Sequence, residues 1–260
     1  MKRFWFVALG LLIAGVIFLI QQTNGLKITS YTWASTRVPQ SFDGYCVVLV
    51  SDLHNKRFGR DQARLVRAVR ELQPDMIALT GDFIDRFTKN LDAVREFLEG
   101  VKDLAPLYWV DGNHEPESQF YGEFLALLSR YNVTVLDGYT QIERGGDGMT
   151  LAGFSFWDLS HISRPADIVL YHNPDGFPAF ASYGYGLVLS GHNHGGQIAL
   201  PGGKAIFAPG GELFPKYSGG MYTEGEAAMV LSRGLGSVYV PVRAFSRPEV
   251  VGVTLKSIME

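Results

Sequence analysis

The sequence predicts an α/β fold behind one N-terminal membrane-spanning helix. Three observations carry that prediction. The first half alternates short β-branched apolar runs with amphipathic helical stretches, the order that builds a parallel sheet covered by helices. The apolar runs end abruptly in Asp, His or Asn. At the N-terminus, Phe4 to Ile20 (FWFVALGLLIAGVIFLI) carries no charged or polar side chain.

The 260 residues, 47% of them hydrophobic, allow one large domain with a sizeable core. The net charge is −3 and no basic tract is present, so no nucleic-acid binding is predicted. The single cysteine, Cys46, excludes an intrachain disulfide. It lies in the apolar run YCVVLV and reads as a packed thiol.

The N-terminal apolar run has the roughly 17–25 residues that a spanning helix needs. Lys2 and Arg3 precede it, which predicts the N-terminus inside and the catalytic domain extracytoplasmic, on a single-pass protein of the cell membrane. Lys27 and Arg37 oppose that orientation weakly. No small-residue cleavage site follows, so residues 1–22 are expected to be an uncleaved anchor and not a signal peptide. Residues 23–43 are polar and mixed, and are expected to join the anchor to a domain over 44–260.

In that domain Tyr45–Ser51 reads as a short buried strand. Asp61–Leu72 has helical spacing of Leu65, Val66, Val69 and Leu72. Met76–Thr80 is a second strand, Asn90–Leu104 a second helix and Leu107–Val110 a third strand. Ser118–Tyr131 is a third helix with Phe120, Phe124, Leu127 and Leu128 on one face. The second half is richer in Gly and Pro. Strands are expected at 133–136, 149–154, 167–171, 186–190, 227–232 and 248–255, with few helices and no repeats.

Five strand ends carry the chemistry. They are Asp52-Leu53-His54; Gly81-Asp82 with Asp85 beyond; Asp111-Gly112-Asn113-His114-Glu115; His172-Asn173-Pro174; and Ser190-Gly191-His192-Asn193-His194. Ligands of open α/β sheets bind outside the carboxyl ends of strands, so these loops can converge. They hold five of the chain's six histidines. Imidazole, carboxylate and amide donors without thiolate suit Mn, Fe, Zn or Ni. Asp52, His54, Asp82, Asn113, His172, His192 and His194 are too many for one ion. Two divalent ions with a bridging carboxylate use them all. Such a pair, with a bridging hydroxide as nucleophile, leaves the site net positive and attractive to phosphate.

The blocks SDLHN, GDFID, GNHE, a lone His after a strand, and GHNH occur in the order of the calcineurin-like metallophosphoesterase family, which the chain resembles over residues 44–256. The stretches GHNHGGQIALPG and SRGLGSVYVPVRAFSRPEVVGVTL, with the anchor, resemble its membrane-anchored bacterial branch. The resemblance implies a four-layer fold, two mixed β-sheets packed face to face and flanked by helices. It implies that Asp52, His54 and His194 bind one metal, that Asn113, His172 and His192 bind the other, and that Asp82 bridges them. His114 is then the catalytic group beside the leaving-group oxygen. The implied substrate carries a phosphodiester or pyrophosphate and is lipid-linked, resembling UDP-2,3-diacylglucosamine or a phospholipid head group. Soluble nucleotides are the alternative.

Other residues read more plainly. Asp85, Asp111 and Glu115 are expected to hydrogen-bond rather than ligate, and His161 to be a loop residue. Lys204, Lys216, Arg233 and Arg243 are expected in structural pairs or in solvent ahead of substrate contact. Asn193 is expected to point away from the metals, its identity of little weight. No HxHxDH run is present, against a β-lactamase-like hydrolase, and the complete set of blocks argues against a non-catalytic metal-binding protein.

Overall fold

The computed structural model describes residues 2–160, 162–208 and 211–258. Helix α1 (Lys2–Asn24) projects from the rest with most of its apolar side chains exposed, and meets the domain near its carboxyl end. Its 23 residues make about 34 Å at 1.5 Å each, long and apolar enough to cross a bilayer.

The strands run in chain order. β1 (Lys27–Ser35), β2 (Cys46–Val50), β3 (Met76–Thr80), β4 (Leu107–Val110) and β5 (Thr134–Val135) come first. β6 (Gly138–Arg144), β7 (Asp147–Gly153), β8 (Ile168–Leu170) and β9 (Leu187–Ser190) follow. β10 (Ile198–Ala199) and β11 (Ala205–Phe207) make a small hairpin, and β12 (Gly220–Glu224), β13 (Ala227–Leu231) and β14 (Glu249–Ser257) complete the chain. One sheet has the order β1-β14-β2-β3-β4-β5 and the other β12-β13-β9-β8-β7-β6. Both are mixed: β2 to β5 are parallel with β14 antiparallel to β2, and β7, β8, β9 and β13 are parallel with β6 and β12 antiparallel at the edges.

Period-two alternation builds the layers. Val47 and Leu49 of β2 point between the sheets, where they meet Ile168, Leu170, Leu187 and Leu189 of the second sheet. Val48 and Val50 point the other way, toward α2 (Ala63–Glu71), α3 (Asp92–Val101) and α4 (Tyr121–Arg130). Those helices bury Leu65, Val69, Val94, Phe97, Leu98, Phe124 and Leu128 at helical spacing. On the outer face of the second sheet, Val169, Val188 and Met229 pack on Phe177 and Phe180 of α5 (Phe177–Ser182). Strands buried on both faces are uniformly apolar, which is why the central strands were legible as short runs.

The expected joining segment is different in the structure. Residues 27–35 form β1, an edge strand paired in parallel with β14 from Lys27↔Glu249 to Ser35↔Ser257. Its half-exposed, polar-mixed sequence (KITSYTWAS) lacks the apolar run of a central strand, and its partner lies more than 200 residues away. The edge strands β6 and β12, absent from the expected set, share the half-exposed, polar-mixed sequence, although their partners β7 and β13 follow directly in the chain.

Candidate metal centre

The carboxyl ends of β2, β3, β4, β8 and β9 open at one edge of the two sheets, and the five loops meet there. Two groups of donor atoms form, each with all members within 4.8 Å of one another. One holds Asp52, His54, Asp82 and His194; the other holds Asp82, His172 and His192. Asp82 belongs to both. His54 Nε2 is 3.2 Å from His194 Nε2, and that nitrogen is 3.2 Å from Asp52 Oδ1. His172 Nε2 lies 2.9 Å from Asp82 Oδ2 and 3.9 Å from Asp52 Oδ1.

Local backbone shape makes this convergence possible. Asp52, His54, Asp82, His192 and His194 all adopt positive φ, between 45° and 78°. Each such residue costs about 1 kcal/mol or more, a strain that folds tolerate chiefly at functional sites. Two glycines let the loops close. A Cβ on Gly112 would strike the Asp82 carboxylate, and one on Gly191 would strike Ser51 and Asp52. His192 and His194 therefore leave an irregular turn, not an extended strand, and their rings diverge. His194 stacks near His54 (centroids 5.0 Å apart) and His192 near His172 (5.1 Å).

Hydrogen bonds orient the donors. His172 Nδ1 donates to the Thr80 carbonyl at 2.6 Å, which turns Nε2 toward the carboxylates. His54 Nδ1 donates to Asp85 Oδ2 at 3.2 Å, and Asp85 is itself held by the Phe87 amide. The amide of His192 donates to Asp52 Oδ1, and that of His114 to Asp82 Oδ1 at 2.9 Å. Asn113 sits between Gly112, which abuts Asp82, and His114.

The donor set fits a divalent cation. Asp52 Oδ2 and Asn113 Oδ1 are buried and have no hydrogen-bond partner among the described residues. Orphaned acceptors of this kind are costly unless they meet a cation. The electrostatics agree. Burial would push the His172 ring down, but Asp82 and Asp52 outweigh it and raise its pKa to about 10. A proton on Nε2 feels the same field that a metal ion would feel. Burial would raise Asp52 and Asp82, yet the imidazoles around them hold both well below the carboxylate range. Burial, together with the His172 charge, lowers His192 to about 4. Burial also lowers His194 to about 4, so at neutral pH both rings are uncharged donors.

His114 stands beside the cluster. Its ring lies 5.5 Å from that of His54 and 6.3 Å from Tyr239, and its Nδ1 is 2.9 Å from Glu117 Oε2. Glu115 accepts from the Phe83 and Gly112 amides, bracing the Asp82 loop; burial and then the Asp82 charge push it up to about 8. Asp111 accepts from Ser155 and Phe156.

The expected cations are structural or solvated. Arg233 pairs with Glu249 at 2.9 Å, and Arg243 is fully buried among backbone carbonyls. Lys216 lies over the Tyr217 ring, and Lys204 is exposed. One expectation is corrected. Asn193 is buried and its Nδ2 donates to the Tyr217 carbonyl at 2.7 Å, so its amide anchors the histidine loop. Phe156, packed 5.5 Å from His192, was not foreseen, because no sequence block marks it. His161 lies outside the described residues.

Comparison with known proteins accords with this geometry. The family model described as calcineurin-like phosphoesterase matches residues 47–196. The uncharacterized metallophosphoesterase YkuE of Bacillus subtilis is 31% identical over 249 residues, covering 89% of this chain and 86% of that protein. Phosphodiesterase YaeI of Escherichia coli is 29% identical, covering 80% of this chain and 81% of that protein. A transmembrane protein with metallophosphoesterase domain from Danio rerio is 27% identical, covering 94% of this chain and 60% of that protein.

Proposed function

The chain belongs to the calcineurin-like phosphoesterase family and is a hydrolase acting on phosphate esters. From that premise we propose that the cluster is a dinuclear centre that cleaves a phosphodiester or pyrophosphate. Asp52, His54 and His194 would hold one ion, Asn113, His172 and His192 the other, and Asp82 would touch both. The observation that carries this reading is the pair of donor groups sharing Asp82. Divalent ions, when bound, supply a nucleophile at neutral pH and offset phosphate charge. Mn, Fe, Zn and Ni all suit these donors.

The protein's own groups supply the rest. His114 stands at the rim of the cluster with its amide fixed on Asp82. Its ring would give a proton to the departing oxygen, and the 2.9 Å contact of Nδ1 with Glu117 supports Glu117 as the group that orients it. Asp85 and the Thr80 carbonyl keep His54 and His172 aimed inward.

The substrate is proposed to be lipid-linked, presented at the bilayer in which α1 is the anchor. The apolar length of α1 supports the tether, and Lys2-Arg3 support an extracytoplasmic domain. The test is the full chain in detergent, loaded with Mn²⁺ and given aryl phosphate mono- and diesters, soluble nucleotides, phospholipids and UDP-diacylglucosamine. EDTA-sensitive cleavage of a diester or pyrophosphate is expected, with lipid-linked compounds preferred. No metal-dependent turnover of any of them would overturn the catalytic reading. Turnover of nucleotides alone would overturn the lipid-linked one.

A further inference from the structure

The segment after β13 holds none of the proposed metal ligands, yet it is tied closely to the centre. Arg243 donates to the carbonyls of His194, Arg233, Gly236 and Ser246. Gln197, just beyond the histidine loop, donates from Nε2 to the carbonyls of Val240 and Val242. Its carbonyl accepts from the Ala244 amide, and the Ala244 carbonyl accepts from Ala199. All these polar groups turn inward. The outward side of the segment is apolar: Tyr239, Val240, Val242 and Phe245 are exposed. Tyr239 reaches His114, with ring centroids 6.3 Å apart, so the segment forms one rim of the site.

The same segment meets the end of α1. The amide of Arg243 donates to Thr23 Oγ1 at 3.0 Å, and Arg247 donates to the Gly25 carbonyl. Phe245 packs on Phe18 with centroids 5.1 Å apart. It does so at φ 55°, a left-handed conformation that a bulky aromatic rarely adopts. Phe18 belongs to the apolar run of α1. If that run lies in hydrocarbon, a ring packed on it lies at the boundary of the hydrocarbon. Beside it a cavity of about 320 Å³ is lined by Gln22, Lys27, Gly202, Gly203, Arg233, Phe245 and Arg247; Arg233 is paired with Glu249, so Lys27 and Arg247 supply its net positive charge.

We propose that residues 239–245 are a strap resting on an anionic bilayer. Its apolar side chains enter the boundary between head groups and acyl chains, the basic cavity takes a lipid phosphate, and the metal centre is held at head-group level. The inference rests on the reading of α1 as a span. Continuity with that span, and the cations beside the apolar rim, commit the surface to lipid.

The test uses the full chain in proteoliposomes, in a Cys46→Ser background, with bimane on single cysteines. These replace Val240, Phe245, Val16 of α1, or Asp103 at the far, amino-terminal end of β4. Lipids brominated on the acyl chain are the quenchers. Positions 16, 240 and 245 are expected to be quenched at least about 2-fold more than position 103. Positions 240 and 245 are expected to respond more in phosphatidylglycerol than in phosphatidylcholine, and Lys27→Glu is expected to abolish that difference. Quenching at 16 with none at 240 and 245 would overturn the strap and leave the span. No quenching at 16 would overturn the span and the strap with it. Crosslinking of Phe245→Cys chains to one another without lipid quenching would assign the surface to a second copy and overturn the proposal. A lipid preference that survives Lys27→Glu would overturn the cavity's part. The readout is independent of turnover, so failure of the catalytic reading stays separate.

Discussion

His54 and His194, 140 residues apart, bring their Nε2 atoms to 3.2 Å, and Asp52 Oδ1 lies 3.2 Å from the same His194 nitrogen. The contact makes one focus for positive charge. It exists because two parallel strands, in different sheets, end at the same edge and then turn through positive φ. On the far side of Asp82, His172 and His192 make the second focus. The spacing of the whole centre is thus set by how the two sheets pack.

His114 is proposed to handle a proton without holding metal. His114→Ala is expected to lower kcat by about 10²–10⁴-fold, with metal content unchanged. Metal analysis and steady-state kinetics on the same preparation check this. Loss of metal in proportion to activity would make His114 a ligand.

Asp85 aims His54 from 3.2 Å away. Asp85→Asn is expected to weaken metal affinity by roughly 10–100-fold, with activity largely restored at excess metal. Titration with Mn²⁺ reads the shift. Activity that saturates at wild-type metal concentration would show that the hydrogen bond does not position the ring.

Arg243 serves four carbonyls from a fully buried position, and burial lowers its pKa to about 10, still charged at neutral pH. Arg243→Met takes the guanidinium donor from the buried Arg233 and Ser246 carbonyls, while the His194 and Gly236 carbonyls keep Ser246, Gln197 and Ser237 as donors, and is expected to cost at least about 2 kcal/mol. Thermal unfolding measures it, and an unchanged Tm contradicts it. Lysine, with a compact head and no planar fork, is not expected to rescue it.

Cys46 was read as a packed thiol, and burial followed by the Asp75 charge raises it to about 11. An ordinary thiol titrates near 8.5, so at pH 8 the native thiolate is scarcer by roughly 200-fold. Labelling by a disulfide reagent is expected to be slow in the native protein and fast after unfolding. Equal rates would contradict the burial argument.

The centre was legible because each donor follows an uninterrupted apolar strand, a signal that survives in one dimension. Asp52, Asp82 and Asn113 could each be ordinary turn residues alone; their joint placement at strand ends made them a site. What stayed hidden depends on partners distant in sequence. β1 is a strand only because β14 lies beside it. Asn193 and Gln197 matter through the carbonyls of Tyr217, Val240 and Val242, and no local pattern announces such bonds. Arg243 shows the same limit: its sequence context reads as a solvated charge or a structural pair, and only the tertiary fold surrounds it with carbonyls.

The central claim is that Asp82 stands between two ions. Anomalous diffraction at the Mn edge, from crystals of the full chain grown with Mn²⁺, tests it most directly. Two peaks are predicted roughly 3.5–4 Å apart, one beside His54 and His194, the other beside Asn113, His172 and His192, with Asp82 contacting both. A single peak in the cluster, or two peaks that Asp82 does not join, would contradict the account.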